Sequence, residues 1–300
     1  MPNFYIVDVK HGNSAVLIDT DGVVVIDAGN GSKLLEFLSN RQITTIDVLI
    51  LSHADGDHIG GVMALLTSEV LVIKSVYVNS DASKNTGTWD DLAYTLYDYD
   101  KQDKLVFETQ VTPDLTGKIN QGSVHIEVLA PNKYLIAKGV GGQDRDKRKL
   151  STNSMSVVIR LVYQGNPCVL LPGDIDHIGL DHLLSDRYEI TAQLLVFPHH
   201  GGRAGKDTKA FTTQICNHVQ PQHIVFSIAK NIDKFPIKEV VETISSVLPK
   251  TYMYTTNHSD IFSSHISQHE IPHKNDVGHI HIDLAQLPMI INYFKNNHLI

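Results

Sequence analysis

The chain has only two cysteines, Cys168 and Cys216, far apart in sequence. That excludes a disulfide scaffold and a cysteine-rich zinc fold. No apolar run approaches the ~20 residues that cross a bilayer. The start, Met1-Pro2-Asn3-Phe4-Tyr5, lacks the basic and apolar stretches of a signal peptide. The expectation is a soluble cytoplasmic protein with no membrane contact. Positive charge is also in short supply: 25 Lys and Arg stand against 33 Asp and Glu, a formal net charge of -8. This argues against binding nucleic acid over the whole surface, and leaves room for a local basic site. A proline-rich linker and a repeat of fixed period are both missing. With 42% hydrophobic and 19% charged residues, the chain reads as one continuous globular domain, 1–300.

What it does have is ligand chemistry packed into one loop. Ser52-His53-Ala54-Asp55-Gly56-Asp57-His58-Ile59-Gly60-Gly61 follows the apolar run Ile46–Leu51, which reads as a buried strand. Imidazole nitrogen and carboxylate oxygen are the donors that hold divalent transition metals. His53, Asp55, Asp57 and His58 point in different directions at this spacing, so they are too many for one ion. The pattern predicts two neighbouring metals, with His53 and Asp55 on one and Asp57 and His58 on the other. A capped strand-to-helix loop accounts for one aspartate only.

The same arrangement recurs along the chain. Val169–Leu171 leads through Pro172-Gly173 to Asp174, and Leu194–Phe197 leads through Pro198 to His199 and His200. Strands that present loops at their carboxyl ends are where α/β folds build sites. Asp27 ends the run Val23–Ile26. It is either a turn residue or a carboxylate that orients a ligand histidine. Asp21-Gly22 predicts a hairpin, and Ser32 is positioned to cap a helix over Lys33–Asn40. Further strands are expected at Val76–Asn79, Val124–Leu129, Ser156–Val162, Ile224–Ser227, Tyr252–Thr255 and His279–Ile282. Helices are expected at Gly61–Leu66, Trp89–Tyr99, Asp176–Leu184, Thr208–Asn217 and Ile237–Leu248. The stretches 81–88, 136–152 and 258–277 read as insertions or mobile loops.

These motifs, in this order, resemble the metallo-β-lactamase superfamily, and within it the metallohydrolase domain of the ComEC-type competence proteins. Ser52–Gly61 is similar to that group's Ser-His-x-Asp-x-Asp-His-x-Gly-Gly loop. Asp8-Val9-x-x-Gly12-x-x-Ala15 with Val25-Ile26-Asp27-Ala28-Gly29 resembles its opening hairpin. Asn153-Ser154-x-Ser156, Leu171-x-Gly173-Asp174 and Pro198-His199-His200-Gly201 resemble its later motifs. Ser227-Ile228-x-Lys230-Asn231 and Gly278–Ile282 resemble its closing segments. The resemblance implies an αββα sandwich, two mixed sheets face to face with helices outside. It implies hydrolysis by a metal-bridged hydroxide, with a phosphodiester, in DNA, as the substrate class. Three features depart from the group's pattern: Lys10-His11-Gly12-Asn13 in the first hairpin, Phe235-Pro236 where His-Pro is usual, and a histidine-rich insertion over 257–277.

By this resemblance Asp174 bridges two divalent ions, Zn2+ or Mn2+, and Asn153 approaches the first through its amide oxygen. Asn153 has a second reading as a turn residue. Successive side chains diverge, so one of His199 and His200 binds metal and the other faces substrate as a proton donor. The assignment taken is His200 as ligand and His199 as acid, which makes Asp57 and His199 the candidate catalytic residues. Asp55 stands where other hydrolases of the superfamily carry histidine, and oxygen in place of nitrogen brings manganese level with zinc. Arg145, Lys147, Arg148 and Lys149 form the one dense basic run, either a solvated loop tip or a track for a phosphate backbone. His258, His265, His269, His273, His279 and His281 read as polar loop and strand positions. The functional expectation is a phosphodiesterase or nuclease. The alternatives are a hydrolase of a small ester, lactone or phosphoester, and a metal-binding partner subunit in a larger assembly.

Overall fold

The computed structural model describes residues 1–230, 235–261, 277–286, 288–295 and 298–299. In chain order it begins β1 (Asn3–Ile6), β2 (Ala15–Ile18), β3 (Val23–Ile26), α1 (Lys33–Asn40), β4 (Thr45–Ile46) and β5 (Val48–Leu51). Next come α2 (Gly56–Ile59), α3 (Val62–Leu66), β6 (Val72–Ile73), β7 (Ser75–Val78), α4 (Gly87–Lys101) and β8 (Val106–Glu108). The second half holds β9 (Val124–Ala130), α5 (Lys133–Lys138), β10 (Val158–Tyr163), β11 (Asn166–Leu171), α6 (His177–Ser185) and β12 (Leu194–Val196). It continues with α7 (Thr208–Val219), β13 (His223–Phe226), α8 (Lys238–Val247) and β14 (Tyr252–Thr255), and closes with β15 (His279–Asp283), β16 (Asn292–Lys295) and β17 (His298–Leu299).

Two large sheets carry most of these strands, and β4 pairs with β6 in a third, two-stranded sheet. The first runs β17-β16-β15-β1-β2-β3-β5-β7-β8 and the second β14-β13-β12-β11-β10-β9. β1, β2 and β3 are antiparallel, whereas β3, β5, β7 and β8 are parallel. In the second sheet β9, β10 and β11 are antiparallel and β11 to β14 parallel. Side chains alternate faces along a strand, and the alternation sorts residues into three apolar layers. Between the sheets lie Leu17, Ile26 and Ile50 from one side and Ile126, Ile159, Val169 and Leu171 from the other. On the far face of the first sheet, Val25, Leu49 and Leu51 meet Leu34 and Phe37 of α1 and Leu92 and Leu96 of α4. On the far face of the second, Leu170, Leu195 and Ile224 meet Leu180 of α6, Phe211 and Ile215 of α7 and Val241 of α8. The result is the four-layer αββα sandwich that the resemblance implied.

Boundaries move for local reasons. The run Ile46–Leu51 divides at Asp47, because Thr45–Ile46 pairs with β6 in a separate sheet while Val48–Leu51 lies between β3 and β7. The expected 33–40 helix forms, but Ser32 makes no side-chain cap; its hydroxyl donates to Glu36 instead (2.8 Å). α6 starts as expected on Asp176, whose Oδ1 accepts from the backbone N–H of Ile178 and Gly179, both at 2.9 Å. Among the described residues no helix is long and apolar enough to cross a membrane.

Candidate metal centre

Five parallel strands of the two sheets end toward one edge and deliver polar residues there. β3 ends on Asp27, β5 on the Ser52–His58 loop, β11 on Asp174, β12 on His199 and His200, and β13 on Ser227. Among the described residues Asp57, His58, Asp174 and His200 converge, with one ligand atom from each lying within 4.8 Å of the others. Two come from the first sheet and two from the second.

Close backbone contacts hold these loops together. Gly12 has φ +123°, and a Cβ there would lie 2.1 Å from the Asp57 carbonyl oxygen, so the 10–13 loop lies flat on the metal loop only as glycine. Ser227 Oγ donates to the Gly12 carbonyl (2.7 Å). Gly173, at φ +54°, lets the chain pass Ser156, whose Oγ accepts from the Asp174 N–H (3.1 Å). Asp27, His199 and His200 also take positive φ, near 60°, 53° and 55°. Non-glycine residues rarely do so without other interactions holding them there.

Each imidazole of the cluster is backed on Nδ1 by an oxygen and turns Nε2 toward the cluster carboxylates. His58, wholly buried, has Nδ1 at 2.7 Å from Asp27 Oδ2. Its Nε2 is buried without a hydrogen-bond partner, 3.5 Å from Asp174 Oδ2 and 3.9 Å from Asp57 Oδ2. His200 Nδ1 donates to the Ser227 carbonyl (2.8 Å), leaving Nε2 at 3.0 Å from Asp57 Oδ2. Asp27 also accepts from Ser52 N–H (2.7 Å) and Ser52 Oγ (2.8 Å). It is therefore both the turn residue and the carboxylate that orients a histidine. Imidazoles fixed at Nδ1 by an oxygen, with Nε2 turned to a shared space, have the arrangement of metal-ligating histidines. Two such nitrogens and two carboxylates suit Zn2+ or Mn2+, so the residues present fit a divalent ion.

Charge is unevenly held here. Burial works against the charged form of His58, but the carboxylates of Asp27 and Asp174 raise its pKa well above the usual histidine range. His200 is raised in the same way, against burial, by Asp174 and its hydrogen bond to Asp57. Burial likewise opposes charge on Asp57 and Asp174, and the cluster histidines outweigh it and hold both carboxyls below the carboxylate range. An incoming ion thus displaces protons shared among these groups.

The remaining expected residues fall around the cluster. His53 packs its ring 4.0 Å from that of His58, and its buried Nε2, without a hydrogen-bond partner, faces Asp55 Oδ2 at 3.6 Å. These two stand beside the four-residue set rather than in it. Asp55 also pairs with Lys84. Against the effect of burial, His53 and then Lys84 bring the Asp55 carboxyl down to about 2. His199 donates its backbone N–H to Asp174 Oδ1 (2.9 Å), and its Nδ1 lies 3.6 Å from Asp174 Oδ2. Burial, more than any neighbour, keeps the His199 ring below the usual range. Asn153 opens the turn 153–155, with its carbonyl accepting from Asp176 N–H (3.4 Å); it is not in the convergent set. In the basic run, Arg148 is clamped by Asp144 (2.7 Å) and Asp181 (2.6 Å), while Arg145, Lys147 and Lys149 are exposed. Asn231, His265, His269 and His273 lie outside the described residues, and His281 is a strand position bonded to Asn3 Oδ1 (2.7 Å).

Two site residues were not expected: Lys84, which pairs with Asp55, and His11. His11 Nε2 lies 3.5 Å from Asp57 Oδ2, and its ring stands 4.9 Å from that of His200. Its only sequence signal is its place one residue before Gly12.

Comparison with known proteins agrees with this geometry. Residues 7–131 match the model of the metallo-beta-lactamase superfamily. ComE operon protein 3 of Bacillus subtilis (strain 168) is 25% identical over 245 residues, which cover 75% of this chain. The match spans 27% of that protein's length. The metallo-beta-lactamase fold protein YhfI of Bacillus subtilis shares 13% identity at a TM-score of 0.51, covering 85% of this chain and 97% of that one. Tm1679, a metal-dependent hydrolase of the beta-lactamase superfamily, shares 15% at 0.52, covering 86% and 96%. Identity at that level speaks for the fold alone. Residues 7–131 of this chain are thus similar to the metallo-β-lactamase superfamily, and its αββα layers share the fold of these two structures.

Proposed function

We propose that this metal-dependent hydrolase is a phosphodiesterase that cleaves nucleic acid. The observation that carries the reading is the open, unpartnered Nε2 of His58 facing Asp57, Asp174 and His200. Those four residues would hold one divalent ion, and His53 with Asp55 a second beside it. A divalent ion there supplies Lewis acidity and lowers the pKa of water to about 7. The chain's own residues do the rest. Asp174 sits between His58 and the 199–200 turn, so its two oxygens serve both sides of the cleft. His199 presents a buried Nε2 without a hydrogen-bond partner, placed to hand a proton to a leaving oxygen. The three carboxylates Asp55, Asp57 and Asp174 give a hard, oxygen-rich set suited to ions that hold phosphate. The motif resemblance to the ComEC-type metallohydrolases, carried by Ser52–Gly61, Leu171–Asp174 and Pro198–Gly201, supports a polymer of nucleotides as the substrate.

The deciding experiment is incubation of metal-loaded protein with plasmid, single-stranded DNA, RNA and bis(p-nitrophenyl) phosphate, beside a lactone and a thioester. The expected result is phosphodiester cleavage that chelation and Asp174→Ala both abolish. Turnover of the lactone or thioester alone would overturn the reading in favour of a small-ester hydrolase.

A further inference from the structure

The stretch 81–88 is pinned where it meets the metal centre. Asp81 is buried, and its Oδ1 accepts from the backbone N–H of Ser83 and of Lys84, both at 3.0 Å. Its Oδ2 accepts from Thr152 Oγ1 (2.6 Å). The turn built this way carries the Lys84 ammonium onto Oδ1 of Asp55, where the lysine side chain is 22% exposed. The other carboxylate oxygen, Oδ2, stands 3.6 Å from His53 Nε2. Two ligands of a tetrahedral ion with bonds of ~2.0–2.2 Å are spaced about that far apart. One oxygen of Asp55 is therefore set toward a metal position while a fixed cation holds the other.

We propose that Lys84 is a built-in counter-cation that keeps the His53–Asp55 position weaker for a divalent ion than the Asp57–His58–Asp174–His200 position. This rests on the metal-centre reading and not on the choice of substrate. The physical cause is charge. A carboxylate attracts a divalent ion through its negative charge, and an ammonium on the same carboxylate cancels most of that attraction. Asp55 with Lys84 presents an oxygen donor of no net charge, electrostatically equivalent to an imidazole. Asp57 and Asp174 carry no lysine or arginine partner among their described contacts. Because Asp81 anchors the backbone of Lys84, the ammonium is held nearby when an ion approaches. The two positions consequently fill in order, the four-ligand set first.

Calorimetric titration of Zn2+, and separately Mn2+, into chelator-stripped protein tests this. Wild type is expected to bind one ion tightly and a second at least tenfold more weakly. Lys84→Met should tighten the second ion tenfold or more and leave the first unchanged, while Lys84→Arg behaves as wild type. Lys104→Met, a lysine on Tyr99 away from the cleft, controls for overall charge and should change neither. Lys84→Gln repeats the test if the methionine variant fails to fold. An unchanged or weaker second ion in Lys84→Met, or equal tightening in Lys104→Met, overturns the proposal. So do two equally tight ions in wild type. No bound ion at all would instead sink the metal-centre reading.

Discussion

His58 is wholly buried, yet one of its nitrogens has no hydrogen-bond partner. A buried polar atom left that way costs roughly 1–3 kcal/mol, and the fold accepts this at His53 and His199 as well. Such positions make sense where a ligand completes them. Asp174 is the carboxylate on which the cluster centres, since His58 Nε2, His199 Nδ1 and His200 Nε2 lie 3.5, 3.6 and 3.8 Å from its Oδ2. Asp174→Ala should therefore weaken ion binding by 100-fold or more, whereas Asn153→Ala, outside the convergent set, should change it less than tenfold. Metal analysis after dialysis against graded chelator separates them; equal losses would refute the assignment of Asp174. Residues of this kind were legible in the sequence because each follows an apolar run that positions it. Asp27 could be read two ways, and only the 2.7 Å contact with His58 shows that it fills both roles. His11 and Lys84 were not legible as site residues. Their partners are 46 and 29 positions away, and neither lies next to a ligand motif.

Elements follow the same logic. Strands buried on both faces, such as β3 and β5, show as unbroken apolar runs, and helices of eight residues or more show their periodicity. What escaped is short or exposed: two-residue β4 and β6, β8 with its exposed ends, and the four-residue α2. The stretch 136–152, expected as an insertion or mobile loop, contains the end of α5 and a tight turn stapled by Asp144. Burial opposes charge on Asp144, but the Arg148 backbone and guanidinium and His182 hold its carboxyl down to about 2. This clamp decides what the basic run can offer a polyanion. Arg148 is committed to Asp144 and Asp181, so Arg145, Lys147 and Lys149 are the cations left for a phosphate backbone. Neutralising those three should lower the salt slope of nucleic-acid binding by up to about three counterions. Arg148→Ala should instead lower thermal stability. If the triple variant binds with an unchanged salt slope, the run is a solvated tip.

Across the whole molecule, further histidines lie away from the ligand cluster. Burial pushes His223 down to about 4, and its Nδ1 is hydrogen-bonded to Tyr254 Oη (3.2 Å). Burial, then the charges of Arg41 and Lys33, bring His279 to about 4, where its Nδ1 accepts from Asp8 N–H (3.0 Å). Both rings protonate near 6.5 once the chain unfolds, so the unfolded state binds more protons as pH falls. The stability they contribute is present above pH 6.5 and lost as pH drops toward 4, with His223 accounting for roughly 3 kcal/mol. Urea midpoints at pH 7.5 and 4.5 should show this loss, and it should shrink in His223→Gln; an equal loss in the variant would refute the account. The sheet order has a consequence for how the chain assembles. β1 pairs with β2 on one side and with β15 on the other, across more than 270 residues of sequence. While the chain emerges from a ribosome, β1 stays an open edge until residues 279–283 are made, and open edges recruit foreign strands. A chain stopped at residue 256 keeps every ligand of the metal centre and loses the strand that covers β1. Such a product should bind ions weakly if at all and collect in the pellet. A soluble, ion-binding fragment would show that the first sheet closes without its last strands.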